Sequence, residues 1–124
     1  MNWPIVIIVG VALLAVFVLK RLSFVSAEVA RKHLAAGALV IDVRTPEEFR
    51  SGHVVNAVNL PLDELRAKLP DRVKDKNQVL LLHCLSGGRS GIAQQQIKGL
   101  GYTKVFNLGS LARANKIVAG ARGA

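Results

Sequence analysis

Residues 80–91 read LLLHCLSGGRSG and hold the only cysteine of the 124-residue chain. The apolar run over residues 78–83 ends one position before that thiol, the pattern of a fully buried strand. Behind Cys84 come Leu85, Ser86, the pair Gly87 and Gly88, then Arg89 and Ser90, where a helical pattern starts. Strand, tight loop and helix in that order make a concavity for an anion, because successive backbone N–H groups point inward and the helix N-terminus adds partial positive charge. The two glycines permit the positive φ such a loop needs. A cysteine at the loop's start has its sulfur in that field, and Arg89 adds a guanidinium, so Cys84 is expected to ionise below the usual value of about 8.5. The thiolate is the reactive form. Many free cysteines merely close a strand as small buried residues, but the full order of strand end, thiol, glycine pair, arginine and helix argues for chemistry.

The flanking sequence segments in the same alternating way. Ser26 caps a helix running to about Ala36, and Gly37 is placed to end it in the left-handed conformation. ALVIDV, residues 38–43, is a second buried strand. In TPEEF, Thr45 is an N-cap, Pro46 fits the first turn and Glu48 completes a capping box, opening a short helix that stops by Gly52. NAVNLP, residues 56–61, reads as a short strand, and LDELRAKL, residues 62–69, as a helix ended by Pro70. Residues 90–98 form the helix behind the thiol, KVFNL at 104–108 a last strand, and residues 110–118 a last helix before a Gly/Ala-rich tail. Near-continuous apolar strands alternating with helices predict an α/β fold, a parallel sheet covered on both faces. Ligands in such sheets sit at the carboxyl ends of the strands, where Cys84 falls.

Residues 3–19, WPIVIIVGVALLAVFVL, run 17 positions without a charge. At 1.5 Å per residue they rise roughly 25 Å, near the lower limit for a hydrocarbon core, and Lys20 and Arg21 can snorkel at the end. A cleaved signal peptide places its charges before the apolar run, the reverse of this order. The expectation is one N-terminal transmembrane helix, residues 1–21, ahead of a domain at 22–124. Lys20, Arg21, Arg31 and Lys32 put that domain on the cytoplasmic side of a single-pass anchor. A chain this small has too little protein to bury such a segment as a core helix.

Residues 22–124 carry fifteen basic and eight acidic side chains, and no acid follows Asp75. Such a balance fits anionic lipid headgroups beside an anchor or a field favouring a small anionic substrate. Nucleic acid is not expected as a partner, because the only aromatics past the anchor are Phe24, Phe49, Tyr102 and Phe106, mostly within apolar patterns. One cysteine forms no internal disulfide, and three scattered histidines make no zinc ligand set.

HCLSGGRS resembles the active-site loop C-x-x-G-x-R-S of rhodanese-like sulfurtransferases, IDVRTPEEFRSGHVVNAVNLP resembles their D-x-R, E-F and G-H-I signature, and GLGYTKVFNL their G-[FY]-x-x-V-x-x-L segment. The resemblance covers residues 23 to about 112. It implies a small parallel α/β rhodanese fold with Cys84 as the catalytic nucleophile and neither metal nor organic cofactor. It also implies sulfane-sulfur transfer from thiosulfate or a persulfide donor, through a Cys84 persulfide, to cyanide or a thiol, including a protein acceptor. In this reading the N–H groups of residues 85–90 cradle the persulfide, Arg89 orients the loop or meets the donor's sulfonate, and Ser90 caps the following helix, the favoured role, or hydrogen-bonds sulfur. Asp42 and Arg44 are expected to pair and support neighbouring loops. His83 points away from Cys84 by strand alternation, and His53 is expected to be structural.

Phosphatases sharing this fold resemble C-x5-R, whereas Cys84 and Arg89 stand in C-x4-R, one residue short of a phosphate-sized loop. Two positions depart from the family pattern. Asn56 replaces a turn glycine, with a side chain that tolerates left-handed backbone. No tryptophan follows Gly109 and Ser110, which leaves the packing of the final helix open. Rival readings are a membrane-tethered persulfide carrier for a protein partner and a non-catalytic scaffold.

Overall fold

The apolar amino-terminal run folds as helix α1 (Trp3–Leu22) in the computed structural model, which describes residues 2–122. The side chains of residues 20–22 and 122 also lie outside the description, as does the tail at 123–124. The expected transmembrane helix is corrected: among the described residues, no helix is long and apolar enough to cross a membrane. The uncharged run at 3–19 rises about 25 Å against a core of about 30 Å, and the expected role of Lys20 and Arg21 falls outside the described residues. Along much of this helix the apolar side chains are open: Trp3, Ile8, Leu13 and Leu19 are each 66% exposed.

Ser26 accepts the Val29 N–H at 3.2 Å and opens α2 (Ala27–Ala35), and Gly37, at φ 96°, turns the chain into β1 (Leu39–Asp42). Thr45 and Glu48 close the anticipated capping box on α3 (Pro46–Ser51). Asn56 takes φ 64°, so its turn survives without glycine and leads into β2 (Val58–Asn59). α4 (Leu62–Arg72) runs through Pro70 instead of stopping there. A proline this near the end costs only one ladder bond, while Leu69 and Val73 are held in the core and Val73 N–H reaches the Leu69 carbonyl at 2.8 Å. β3 (Leu80–His83), α5 (Gly88–Gly99), β4 (Val105–Gly109) and α6 (Leu111–Arg122) complete the chain.

All strand pairs are parallel, in the order β2-β1-β3-β4. Alternate residues of the central strands feed two cores. Ile41, Leu80 and Leu82 pack with Leu65, Leu69 and Ile97 of α4 and α5, and Val40 and Leu81 pack with Ala30, Ala114 and Ile117 of α2 and α6. Helices therefore cover both faces, as the continuous apolar strands demand. α6 seats against α2 through the small, fully buried Ala114, so the helix packs without the family's tryptophan. The register Asp42↔His83↔Gly109 aligns three strand ends, with a bulge in β4 between the pairs Leu82↔Asn107 and His83↔Gly109.

Candidate active site

Cys84 stands one residue past β3, its N–H donating to the Gly109 carbonyl at 3.2 Å. The loop beyond it is tied to the end of β4 by a bridge between Ser86 and Ser110 and by the Leu111 N–H on the Leu85 carbonyl at 3.2 Å. Gly87 reverses the chain at φ 100° and caps α5, turning its own N–H onto Cys84 Sγ at 3.0 Å. The helix thus begins at Gly88, and Ser90 lies inside its first turn, so the expected capping role of Ser90 is corrected. The glycine takes the cap because only it adopts that φ without strain.

The ring of Phe24 fills the space behind this turn. A Cβ on Gly87 would lie 2.6 Å from Phe24 Cζ, and one on Gly109 would lie 2.8 Å from the same ring. Val25 N–H binds the Asn107 carbonyl at 2.9 Å and fixes the segment carrying that ring. Phe24 is a positioning residue that sequence gave no reason to single out.

Burial pushes the Cys84 thiol up, but hydrogen bonds from the Ser90 hydroxyl and from the N–H groups of Ser90, Gly87 and Ser86 outweigh it and bring the thiol below its ordinary value. Ser90 Oγ lies 3.5 Å from Sγ and 2.7 Å from Asn107 Oδ1. Asn107 in turn donates to the Gly87 carbonyl at 3.1 Å and accepts the Gly109 N–H at 2.9 Å. This buried amide was the second residue sequence reading missed, although an asparagine inside the apolar KVFNL breaks the strand pattern. Cys84 is only 1% exposed, so a donor must displace part of the loop's packing before it meets sulfur.

Arg89 turns its hydrogen bonds away from the thiol, although its charge and that of Cys84 still favour each other. Its Nη1 and Nη2 donate to Glu48 Oε1 and Oε2 at 2.6 and 2.9 Å, a bidentate pair to the residue that also completes the α3 cap. This bond holds the Glu48 carboxyl down at about 2 and raises the already high pKa of Arg89. Arg89 therefore orients the loop, clamping the start of α5 to α3. A guanidinium turned to a carboxylate is also not presented to a phosphoryl group, in keeping with the short C-x4-R spacing.

A model of the family described as the rhodanese-like domain matches residues 26–112. The chain belongs to the rhodanese-like family. Among curated relatives, thiosulfate sulfurtransferase PspE of Escherichia coli is 41% identical over 71 residues, covering 57% of this chain and 68% of that protein. Thiosulfate sulfurtransferase 16, chloroplastic, of Arabidopsis thaliana is 38% identical over 96 residues, 69% of this chain and 80% of its own. Of solved structures, an E. coli rhodanese with anions superposes with TM-score 0.60 at 38% identity, covering 62% of this chain and 91% of that one. A human single-domain sulfurtransferase superposes at 0.62 with 30% identity over 74% and 93%.

The remaining polar residues brace this rhodanese-like domain and touch no sulfur. Arg44 Nη2 donates to Asp42 Oδ2 at 2.8 Å and to the Gly52 carbonyl at 2.7 Å, and both side chains are buried. Asn59 Nδ2 bridges the carbonyls of Asp42 and Arg44, at 3.0 Å each, and so ties β2 to the end of β1. His83, on the opposite face of β3 from Cys84, has Nε2 3.8 Å from Asp42 Oδ2 with no hydrogen-bond partner. His53 stacks on Phe49 at 3.8 Å between centroids, in hydrogen-bond contact with the Phe49 carbonyl.

Proposed function

We propose that this protein is a sulfurtransferase that takes sulfane sulfur from thiosulfate or a persulfide, holds it on Cys84 and passes it to cyanide or a thiol. The Cys84 thiolate attacks the outer sulfur of thiosulfate, the Sγ–S bond forms as the S–S bond breaks, and sulfite departs with that electron pair. The resulting persulfide anion lies among the N–H groups of the loop, which stabilise it without a metal or organic cofactor. A second nucleophile then takes the outer sulfur and returns the thiolate, a ping-pong cycle. The single observation carrying this reading is the Gly87 N–H aimed at Sγ at 3.0 Å, on a strand end and at a helix N-terminus. The PspE and Arabidopsis relatives, both named thiosulfate sulfurtransferases, support the donor.

A protein acceptor is favoured over cyanide by the rim of the site. Leu85, beside the thiol, is 56% exposed, an apolar border that suits a protein surface more than a small ion. The membrane also enters as part of the proposal. The exposed apolar side chains of α1 lay that helix in the interface of a lipid bilayer, with the sulfurtransferase domain on the cytoplasmic face, where anionic headgroups attract the basic residues past the helix.

Intact-mass spectrometry after incubation with thiosulfate tests the chemistry. The protein gains one sulfur atom, cyanide or a thiol removes it, and Cys84→Ser gains none. Unchanged mass in a folded protein with a free thiol would refute the proposal. Transfer to a protein thiol with negligible turnover to cyanide would make it a carrier. Protease added to intact cells that digests the domain would reverse its side of the membrane.

A further inference from the structure

His83 closes β3 on the face away from Cys84 Sγ, fully buried, and the sulfur chemistry above makes no use of it. Its Nδ1 lies 3.3 Å from the carbonyl oxygen of Cys84. A carbonyl only accepts, so the ring nitrogen in that contact carries the proton. Nε2 is left with a lone pair and no hydrogen-bond partner among the described residues, 3.8 Å from Asp42 Oδ2. Asp42 is committed elsewhere: Oδ1 accepts the Arg44 backbone N–H at 2.9 Å, Oδ2 accepts Arg44 Nη2 at 2.8 Å, and Arg44 Nε lies 3.0 Å from both oxygens. Burying a ring nitrogen unpaired is unfavourable, and the one hydrogen bond the ring does make goes to the residue that bears the thiol.

That bond fixes a peptide plane. The Cys84 N–H is held by the Gly109 carbonyl at 3.2 Å and the Cys84 carbonyl by His83, so the backbone is pinned on both sides of the thiol-bearing carbon. In a trans peptide the C=O and the following N–H point in opposite directions. With the Cys84 carbonyl drawn to the imidazole on one face of β3, the Leu85 N–H turns to the other face, where Cys84 packs with the α4 and α5 core. This N–H donates to no other described residue. The N–H groups that bear on Sγ are those of Ser86, Gly87 and Ser90, so the Leu85 N–H is an uncommitted donor on the sulfur's side of the loop.

We infer that His83 is a positioning residue that, through the Cys84 carbonyl, holds the Leu85 N–H ready for the outer sulfur of the Cys84 persulfide, an inference that rests on the sulfur-transfer reading above. His83 makes and breaks no covalent bond. Sulfite leaves with its electron pair, the negative charge comes to rest on the outer sulfur, and that atom meets a donor already aimed, with no loop rearrangement in the step. The inner sulfur keeps the donors it had as a thiolate.

The rate of sulfur loading from thiosulfate, followed by intact mass, tests this on the full chain and on His83→Leu and His83→Asn, with a urea midpoint to verify that each is folded. The asparagine amide nitrogen takes the place of Nδ1 and keeps a donor there, whereas leucine removes it. His83→Leu should load on the order of ten-fold more slowly, less than the roughly hundred-fold or more that outright loss of an oxyanion donor costs. His83→Asn should recover most of the rate. The pH midpoint of iodoacetamide alkylation of the unloaded thiol should be the same in all three, because the side-chain and turn hydrogen bonds on Sγ come from Ser90 and Gly87 and none from His83. Loading of His83→Leu at the wild-type rate, or of His83→Asn as slowly as His83→Leu, overturns the inference. So does a midpoint that moves with the rate, the mark of a ring that merely supports the whole loop. Nitrogen NMR of the wild-type protein near neutral pH gives a reading that needs no variant: Nδ1 should be protonated and Nε2 bare, and the Leu85 amide proton should move downfield on loading. The opposite tautomer, or an unmoved Leu85 amide, refutes the role of His83. Wild-type protein that takes up no sulfur refutes the sulfur-transfer reading itself, and this inference with it.

Discussion

Gly87→Ala strikes the turn on which the sulfur's environment depends. Alanine at φ near +100° leaves the backbone strained by about 1–2 kcal/mol. The new Cβ would also lie 2.6 Å from Phe24 Cζ and 2.9 Å from Cε1, an overpacking that costs about 1–3 kcal/mol as the ring moves. The two together, about 2–5 kcal/mol, are a large share of a domain stability of about 5–15 kcal/mol. The loop gives before the sheet does, because the sheet is locked by both cores. As Gly87 turns, its N–H leaves Sγ, and a hydrogen bond to a charged group is worth about 1.5–3 kcal/mol. At 1.36 kcal/mol per unit, the thiol should titrate about one to two units higher than wild type. The rate of iodoacetamide alkylation against pH reads that midpoint, and a urea midpoint on the same samples verifies that the protein remains folded. In a Phe24→Ala background the steric part is absent and the φ strain remains, so the further penalty of Gly87→Ala should fall by roughly half. A folded Gly87→Ala protein with wild-type thiol titration and stability would refute the argument.

Three further outcomes follow from the buried and clamped charges. The Glu48 carboxyl, held at about 2 in the fold against 4.5 ordinarily, contributes stability that is complete above about 4.5 and lost as pH falls towards 2, so the urea-midpoint penalty of Glu48→Gln should shrink over that window. Arg44→Leu strands the buried Asp42 charge and should cost about 3–5 kcal/mol in urea unfolding; an effect below 1 kcal/mol would mean the pair bears no weight. Burial, opposed by Asp42, keeps His83 below its ordinary 6.5, so beneath that value the unfolded chain takes up a proton the native one refuses and stability falls. His83→Leu should flatten the fall in urea midpoint between about pH 7 and pH 5, and an unchanged slope would refute a neutral buried imidazole.

Local signals in the sequence carried far, and long-range ones did not. The α3 cap was legible because Thr45 and Glu48 are three residues apart and satisfy each other. The strand ending at Cys84 was legible because four consecutive apolar or buried positions admit little else in a parallel sheet. Pro70 misled, since a helix stop is set by what its last turn buries as much as by one missing N–H. Arg89 was read as orienting the loop or meeting the donor's sulfonate, and the partner that decides for the first, Glu48, lies forty-one positions earlier in a different helix. No spacing rule supplies that address. Phe24 was equally hidden: the space behind Gly87 and Gly109 exists only once β3 and β4 are side by side. The apolar amino-terminal run was read from its length, its lack of charge and the charge order around it, and its 17 residues rise about 5 Å less than a hydrocarbon core.

Ser90 shows how this loop apportions a scarce proton. Its hydroxyl has one, and three acceptors stand within reach: Asn107 Oδ1 at 2.7 Å, the Gly87 carbonyl at 3.1 Å and Cys84 Sγ at 3.5 Å. While sulfur is a neutral thiol, the shortest contact wins and the proton stays on the amide. A thiolate changes the competition, because bonds to a charged acceptor are about twice as strong as neutral ones. Asn107 Oδ1 can release the serine at little cost, since it still accepts the Gly109 N–H at 2.9 Å. The Gly87 N–H has no such alternative, being fixed on Sγ by the turn and the Phe24 ring. The serine hydroxyl and the backbone N–H groups both lower the sulfur's pKa, but only the serine can redirect its proton. That division suits a sulfur carrier: once the negative charge moves out to the second sulfur of a persulfide, the mobile proton returns to Asn107 while the fixed N–H still holds the inner atom in place.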